Sequence, residues 1–279
     1  MTEIKAIQSL YFSPTGTTRK ILSTIETNTD LKPAKPIDIT PPKQRNTFNG
    51  KVEGDILLVG APVYHGSPPW PMLEPLNKLK GEGRWAVPVA VYGNRTPETC
   101  VEELAKILKD RGFKILAAAS FIAEHSIIAS NYRIAPGRPD EADMKIIEAF
   151  GRQIKEKASN PTEIHLSEKL YNIFTKEHVD TFPQDYHLRA LDSLKRLLKR
   201  EIAEDGCTMC RGCERVCPTD ALDIESRKID EDLCVWCYAC ARSCPEGVIS
   251  FSWIDETPAH FEAVDKIFGS RKEPKIYLT

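Results

Sequence analysis

The sequence predicts an α/β protein in four parts: a doubly wound five-stranded parallel sheet in residues 1–157, a helical connector over 158–205, a small α+β cysteine-rich domain over 206–252, and an extension over 253–279. Three observations carry this reading. Strand-length apolar runs alternate with stretches whose apolar residues recur three or four positions apart, the order of a parallel sheet with crossover helices. Eight of the nine cysteines fall between Cys207 and Cys244, in two copies of one motif. At 279 residues the chain is long enough for two domains of ordinary size.

The elements follow in chain order. Ile4 to Phe12 is a strand, Thr17 to Glu26 a helix, and the proline-rich stretch from Lys32 to Pro42 has room only for a short edge strand near Ile37–Ile39. Asp55 to Ala61, Trp85 to Tyr92 and Lys114 to Ile122 are the remaining strands. Helical spacing places Val101, Leu104, Ala105 and Leu108 on one face of Glu98–Lys109, and Met144, Ile147, Phe150 and Ile154 on one face of Asp140–Lys157. Asn160-Pro161-Thr162-Glu163 has the composition of a helix start, with Leu166, Leu170, Ile173 and Phe174 as its apolar face. A second stripe runs through Leu188, Leu191, Leu194 and Leu198. An extended linker would leave both stripes in water.

Composition removes several classes. With 38 Lys and Arg against 40 Asp and Glu, the formal charge of −2 argues against a nucleic-acid binder dominated by phosphate contacts and against an acidic disordered tail. The first residues lack a basic segment followed by an apolar stretch and a cleavage site. The mostly apolar run from Ile115 to Ala123 is far shorter than the roughly 18 residues of a membrane span. A cytoplasmic protein is expected, and in a reducing compartment clustered cysteines point to metal rather than disulfides.

Each cysteine copy has three thiols spaced by two residues and a fourth three residues further, followed by proline: Cys207, Cys210, Cys213, Cys217 and Pro218, then Cys234, Cys237, Cys240, Cys244 and Pro245. This is the spacing of bacterial-type iron–sulfur clusters. Three close thiolates wrap three corners of a cubane, and in the two-cluster pattern the fourth comes from the other copy. Cluster I is therefore assigned Cys207, Cys210, Cys213 and Cys244, and cluster II Cys234, Cys237, Cys240 and Cys217. Structural zinc, the competing reading, favours two cysteine pairs with a longer spacer and often histidine, and no histidine occurs between His187 and His260. The segment resembles two-[4Fe–4S] ferredoxin domains over about residues 204–252. Met209, Trp236 and Tyr238, between ligands, either shield the clusters from water or simply pack.

The first strand runs into Ser13-Pro14-Thr15-Gly16-Thr17-Thr18 and then a helix, the arrangement of a phosphate cradle. No lysine follows Gly16, which argues against a nucleotide-triphosphate loop. A helix cap is the plainer alternative. The loop is similar to the first loop of flavodoxins, which binds the phosphate of FMN. Two further loops fit that resemblance: Ala61-Pro62-Val63-Tyr64-His65-Gly66 and Tyr92-Gly93-Asn94-Arg95. The resemblance implies FMN bound by Ser13, Thr15, Gly16, Thr17 and Thr18 and by Pro62, Val63, Tyr64 and His65, with Tyr64 or His65 bordering the isoalloxazine and Gly93, Asn94 and Arg95 on its pyrimidine side. Thr17 and the Gly93-Asn94-Arg95 loop depart from the usual flavodoxin pattern. An arginine beside the flavin would stabilise an anionic reduced ring.

Gly81 to Ala86 has glycine spacing like a dinucleotide fingerprint but precedes a strand instead of following one. Glu124-His125 is either a proton relay at the flavin edge or a surface or capping pair. Cys100 is expected to be a small buried side chain.

The combined order resembles the flavodoxin–ferredoxin fusion proteins of anaerobic bacteria and archaea. That resemblance implies an electron-transfer protein relaying electrons between two [4Fe–4S] clusters and FMN, with separate redox proteins as donor and acceptor. The alternative is an FMN-dependent reductase of a small molecule, fed by the clusters, with Glu124, His125 and Tyr64 as candidate groups. Residues 1–157 carry 22 basic and 18 acidic side chains, leaving the remainder net −6. The acidic end can dock on a basic partner or on a second copy of the chain.

Overall fold

A computed structural model describes residues 3–129, 132–166 and 195–279. Its first half is built on strands β1 (Ala6–Tyr11), β2 (Lys32–Pro33), β3 (Ile37–Asp38), β4 (Ile56–Pro62), β5 (Trp85–Tyr92), β6 (Lys114–Ile115) and β7 (Ala118–Ile122). β2 and β3 both pair with β1, and β6 and β7 both pair with β5, so each couple is one interrupted strand. Prolines interrupt the first couple, since Pro33 and Pro36 have no N–H for the ladder. All these pairings are parallel, and the five strands stand in the order 2-1-3-4-5, which is the flavodoxin-like doubly wound arrangement.

Period-two alternation sends successive side chains of each strand to opposite faces. Leu57, Val59 and Ala61 meet helix α4 (Cys100–Asp110) through Leu104 and Leu108, on the face that also carries the short helices α2 (Pro42–Thr47) and α3 (Leu73–Lys78). Ile56 and Leu58 join the other core, where helix α1 (Thr17–Thr27) supplies Ile21, Leu22 and Ile25, and helix α5 (Glu141–Ser159) supplies Ile147, Phe150 and Ile154. Three layers result. Cys100 is fully buried in the first of these cores, as expected. The Gly81–Ala86 stretch lies at the start of β5, not after a strand.

Where the sequence suggests a helix from Asn160, residues 161–166 form no helix. Pro161 cannot prolong α5, and Ile164 and Leu166 alternate with polar residues, which suits a strand-like segment. The Ile164 amide donates to the Ile115 carbonyl at 2.8 Å, and Ile164 is buried. Leu170, Ile173, Phe174, Leu188, Leu191 and Leu194 lie outside the described residues. Leu198, read as the end of a helical stripe, begins a strand.

After the β8 (Ile128–Ala129) and β9 (Tyr132–Arg133) hairpin, strand β10 (Leu198–Ile202) pairs antiparallel with β13 (Ile249–Trp253), and β11 (Leu222–Asp223) with β12 (Lys228–Ile229). Helices α6 (Gly212–Arg215) and α7 (Ala239–Ser243) follow the third-from-last cysteine spacing of each motif copy and start 27 residues apart, so the sequence repeat is also a structural repeat. Phe251, Trp253, Trp236, Tyr238 and Leu198 form the core of this region, joined by Ile127, Ala129 and Ile134 from around the hairpin. The last residues do not trail away: helix α8 (Pro258–Phe268) leads to β14 (Lys275–Tyr277), which pairs antiparallel with β7 and adds an edge strand to the first sheet. Among the described residues no helix is long and apolar enough to cross a membrane.

Candidate functional site

The cysteine loops are shaped by residues in the left-handed region. Met209 and Arg211 have φ of 54° and 56°, and Trp236 and Tyr238, 27 positions later, have 51° and 62°. These residues reverse the chain between successive thiols and turn backbone amides inward. The sulfurs of Cys210 and Cys213 accept from the amides of Gly212 and Glu214, and those of Cys234, Cys237 and Cys240 from Trp236, Ala239 and Ala241. The Ala221 amide donates to Cys217 Sγ at 3.3 Å.

The fold brings the eight cysteines into two groups. Cys207, Cys210, Cys213 and Cys244 line one cavity, so the last cysteine of the second copy sits with the first three of the first. Reciprocally, Cys217 lies close enough to Cys234, Cys237 and Cys240 for their charges to interact. Among the described residues no three His, Cys, Asp or Glu side chains converge tightly enough to hold a single metal ion. The thiols ring a volume instead. Two features of the second group fit an iron–sulfur cubane. Burial pushes the thiols of Cys234, Cys237 and Cys240 up, a cost that a bound cation in place of the proton removes. Tyr238 Oη and Trp236 Nε1, both buried, have no hydrogen-bond partner among the described residues. Such orphaned donors beside thiols suit an acceptor that a bound group brings.

The groups differ in exposure. Met209 and Cys210 are solvent-exposed, whereas Cys237, Trp236 and Tyr238 are buried and the Tyr238 ring lies tilted against Phe251, centroids 4.5 Å apart. Met209 therefore does not cover its group as Trp236 and Tyr238 cover theirs. Arg200 donates to Cys234 Sγ at 3.4 Å, lies over the Trp236 ring at 5.0 Å and pairs with Glu231.

At the carboxyl edge of the parallel sheet, Gly16 takes φ of 84° and starts α1. A Cβ there would meet only Arg19 Nη2, 4.0 Å away, so the loop leaves open space above it. The Ser13 amide donates to Thr40 Oγ1 at 2.8 Å, and Ser13 Oγ accepts from the Arg19 amide at 3.1 Å. Thr17 and Thr18 present first-turn amides that no helical carbonyl precedes. Thr15 is exposed, while Thr18 is buried with its methyl against Gly60 of β4. This cradle fits a phosphate monoester: hydroxyls, unpartnered amides and one nearby guanidinium.

In the second loop, the Val63 amide donates to the Val91 carbonyl, and Tyr64 and Ser67 exchange backbone hydrogen bonds at 3.1 and 3.2 Å. His65 and Gly66 take φ of 55° and 92° to make that tight return. Glu103 of α4 anchors it, accepting from Ser67 Oγ at 2.9 Å and from Thr99 Oγ1. Burial pushes the Glu103 carboxyl up to about 7. Tyr64 packs against Val235, Cys237 and Ala239. The loop that the sequence assigns to a flavin ring thus touches the second cysteine group.

The third loop is held by the chain itself. Asn94, buried and at φ of 61°, donates from Nδ2 to the carbonyls of Phe268 and Ser270, and its Oδ1 accepts from the Lys272 amide at 3.3 Å. Gly93 lies under the His125 ring, where a Cβ would come 2.2 Å from Cδ2. Arg95 is exposed and 3.7 Å from Glu98. Glu124 and His125 are structural. Burial opposes ionisation of Glu124, but Arg133 and the Gly137 amide outweigh it and hold the carboxyl below its usual range. Burial, with the charges of Arg242 and His65, pulls His125 down to about 4, and its Nδ1 accepts from the Ile127 amide. A carboxylate locked between Arg133 and Arg242 and a neutral, engaged imidazole do not form a proton relay. The tail on Asn94 gave no sequence signal, because its partners stand more than 170 positions apart.

Residues 227–250 match the family described as 4Fe-4S binding domain, a span that contains Cys234, Cys237, Cys240 and Cys244. No curated protein matches the chain. Solved structures similar to it include a flavodoxin from the domain Archaea, 15% identical, covering 55% of this chain and 98% of that one with a TM-score of 0.41. A Streptococcus pneumonia TIGR4 flavodoxin is 19% identical, covers 55% and 99%, and has a TM-score of 0.39. A Fusobacterium nucleatum flavodoxin variant bound to flavin mononucleotide is 18% identical, covers 56% and 98%, and has a TM-score of 0.39. The chain thus joins a sheet of flavodoxin-like strand order to a carboxyl-terminal segment that matches the 4Fe-4S binding domain family.

Proposed function

We propose that this protein is an electron carrier holding FMN at the carboxyl edge of its sheet and two [4Fe–4S] clusters in its cysteine groups, and that electrons pass between them within one chain. The observation that carries this reading is the packing of Tyr64 against Val235, Cys237 and Ala239, because it makes one side chain the shared wall of the two sites. When bound, FMN exchanges two electrons and each cluster one, so the three together interconvert paired and single electrons.

Ser13, Thr15, Gly16 and Thr17 would hold the phosphate, with Thr18 fixing the loop on β4, and Pro62, Val63, Tyr64 and His65 would border the ring. Of the third loop, Arg95 is left to face the ligand's polar side, since Gly93 and Asn94 are committed to His125 and the tail. Cys217 completes the group of Cys234, Cys237 and Cys240, and Cys244 that of Cys207, Cys210 and Cys213. Exposed Cys210 and Met209 make the latter group the port for a partner protein. The structural commitments of Glu124 and His125 weaken the small-molecule reductase reading.

The test is anaerobic reduction of the loaded protein with the flavin absorbance followed in time. Bleaching at a rate independent of protein concentration is expected. A flavin that stays oxidised while the clusters are reduced overturns the relay.

A further inference from the structure

Arg45 lies in α2 of the flavodoxin-like half, yet its guanidinium points across the junction with the cysteine region. Nη1 donates to the carbonyls of Ile39 and Thr40 at 3.2 and 3.0 Å, and Nη2 to the carbonyl of Pro218 at 2.8 Å, next to Cys217. The side chain is buried. Among the described residues no carboxylate lies within 4.0 Å of it; Asp220 and Glu74 act from farther off, and so does Cys217. A buried guanidinium bonded only to neutral carbonyls calls for a nearby anion. Four thiolates leave an iron–sulfur cubane net negative, and reduction adds one more electron.

The other arginines near the cysteines are matched or screened. Arg200 pairs with Glu231, Arg242 lies 3.5 Å from Glu124, and Arg211 pairs with Glu214. Arg215 donates to the Cys210 carbonyl at 2.6 Å from an exposed position, where solvent screens its field.

Resting on the cluster assignment above, we propose that Arg45 is the counter-cation of the cluster held by Cys217, Cys234, Cys237 and Cys240, and that it sets that cluster's reduction potential above the other's. Through Thr40, which accepts from the Ser13 amide, the same guanidinium ties this cluster to the phosphate loop. Electrons entering at the exposed cluster then run downhill toward the one beside Tyr64. Arg45 acts as a positioning and tuning residue and touches no substrate.

The experiment is an anaerobic redox titration of the full-length loaded protein, read by electron paramagnetic resonance. Wild type, Arg45→Gln, Arg45→Met and Arg45→Lys are compared, with Cys210→Ser marking which signal belongs to the exposed cluster. Removing the charge with Gln or Met, whichever folds, should lower one midpoint by the equivalent of tenfold in the one-electron equilibrium, about 59 mV, and leave the other in place. Lys, which keeps the charge and loses the fork, should recover at least half of the shift. Unmoved midpoints in a variant with full iron content overturn the inference alone, as does a Lys variant as shifted as Gln or an equal shift of both signals. A wild-type protein without two reducible centres overturns the cluster assignment and the inference with it.

Discussion

At Glu103, burial raises the carboxyl to about 7 even though Ser67 and Thr99 both donate to it. The folded state therefore holds a proton that the unfolded chain releases near 4.5, so this group's contribution is full below 4.5 and is lost as pH rises through 7. The loss amounts to at most about 3 kcal/mol. Glu103→Gln keeps an acceptor for both hydroxyls and carries no charge, so it should raise stability at pH 8 and leave it nearly unchanged at pH 4, measured by urea unfolding across pH. His125 has the opposite sign: its folded value of about 4 lies below the ordinary 6.5, so its contribution is present above 6.5 and lost as pH falls toward 4. In the Glu103→Gln protein that acid-side loss should stand out from the opposing carboxyl. Gly93→Ala sets a methyl against the His125 ring and should cost about 1–3 kcal/mol by thermal or urea melts.

Among the elements, those that departed from the sequence reading share one cause. β10 and the 161–166 segment are short, and their side chains alternate with a period of two, but neighbouring apolar residues at helical spacing invite a helix assignment. What decides is the partner: β13 for one and the Ile115 carbonyl for the other, both distant in sequence. β14 was illegible for the same reason, since three residues carry no periodicity and the edge of β7 supplies the ladder. Ending the chain at Gly269 should remove β14 and the Ser270 and Lys272 bonds to Asn94. Faster amide hydrogen exchange in residues 92–95 and 118–120 is expected, against unchanged exchange in β1. For the cysteine loops, exchanging the fourth ligand tests the crossed pairing. On the proposed two-cluster assignment, Cys217→Ser should perturb the signal of the buried cluster and Cys244→Ser that of the exposed one, each with loss of up to half the iron; the reverse assignment would mean that each copy binds its own cluster.

For the whole molecule, the two halves rest on different kinds of core. The sheet has two apolar cores that include none of the clustered cysteines, whereas the core around Trp236, Phe251 and Trp253 is packed against the cysteines themselves. Stripping iron with a chelator should therefore unfold the cysteine region first, visible as lost tryptophan burial, while the strand signal of the sheet persists. The sequence by itself determined the alternation that builds the sheet, the Ser13–Thr18 turn at the head of α1, the burial of Cys100, and a cysteine repeat whose offset of 27 recurs in helices and left-handed residues. These are local: strand period, turn chemistry and ligand spacing are written within a few residues of one another. Only the tertiary structure decided that Tyr64 backs onto Cys237, that Arg45 reaches Pro218, and that the tail takes Asn94. Each of those contacts joins residues more than 170 positions apart, and at that separation no periodicity or spacing records the pairing; it is fixed by how the packed layers set one surface against another.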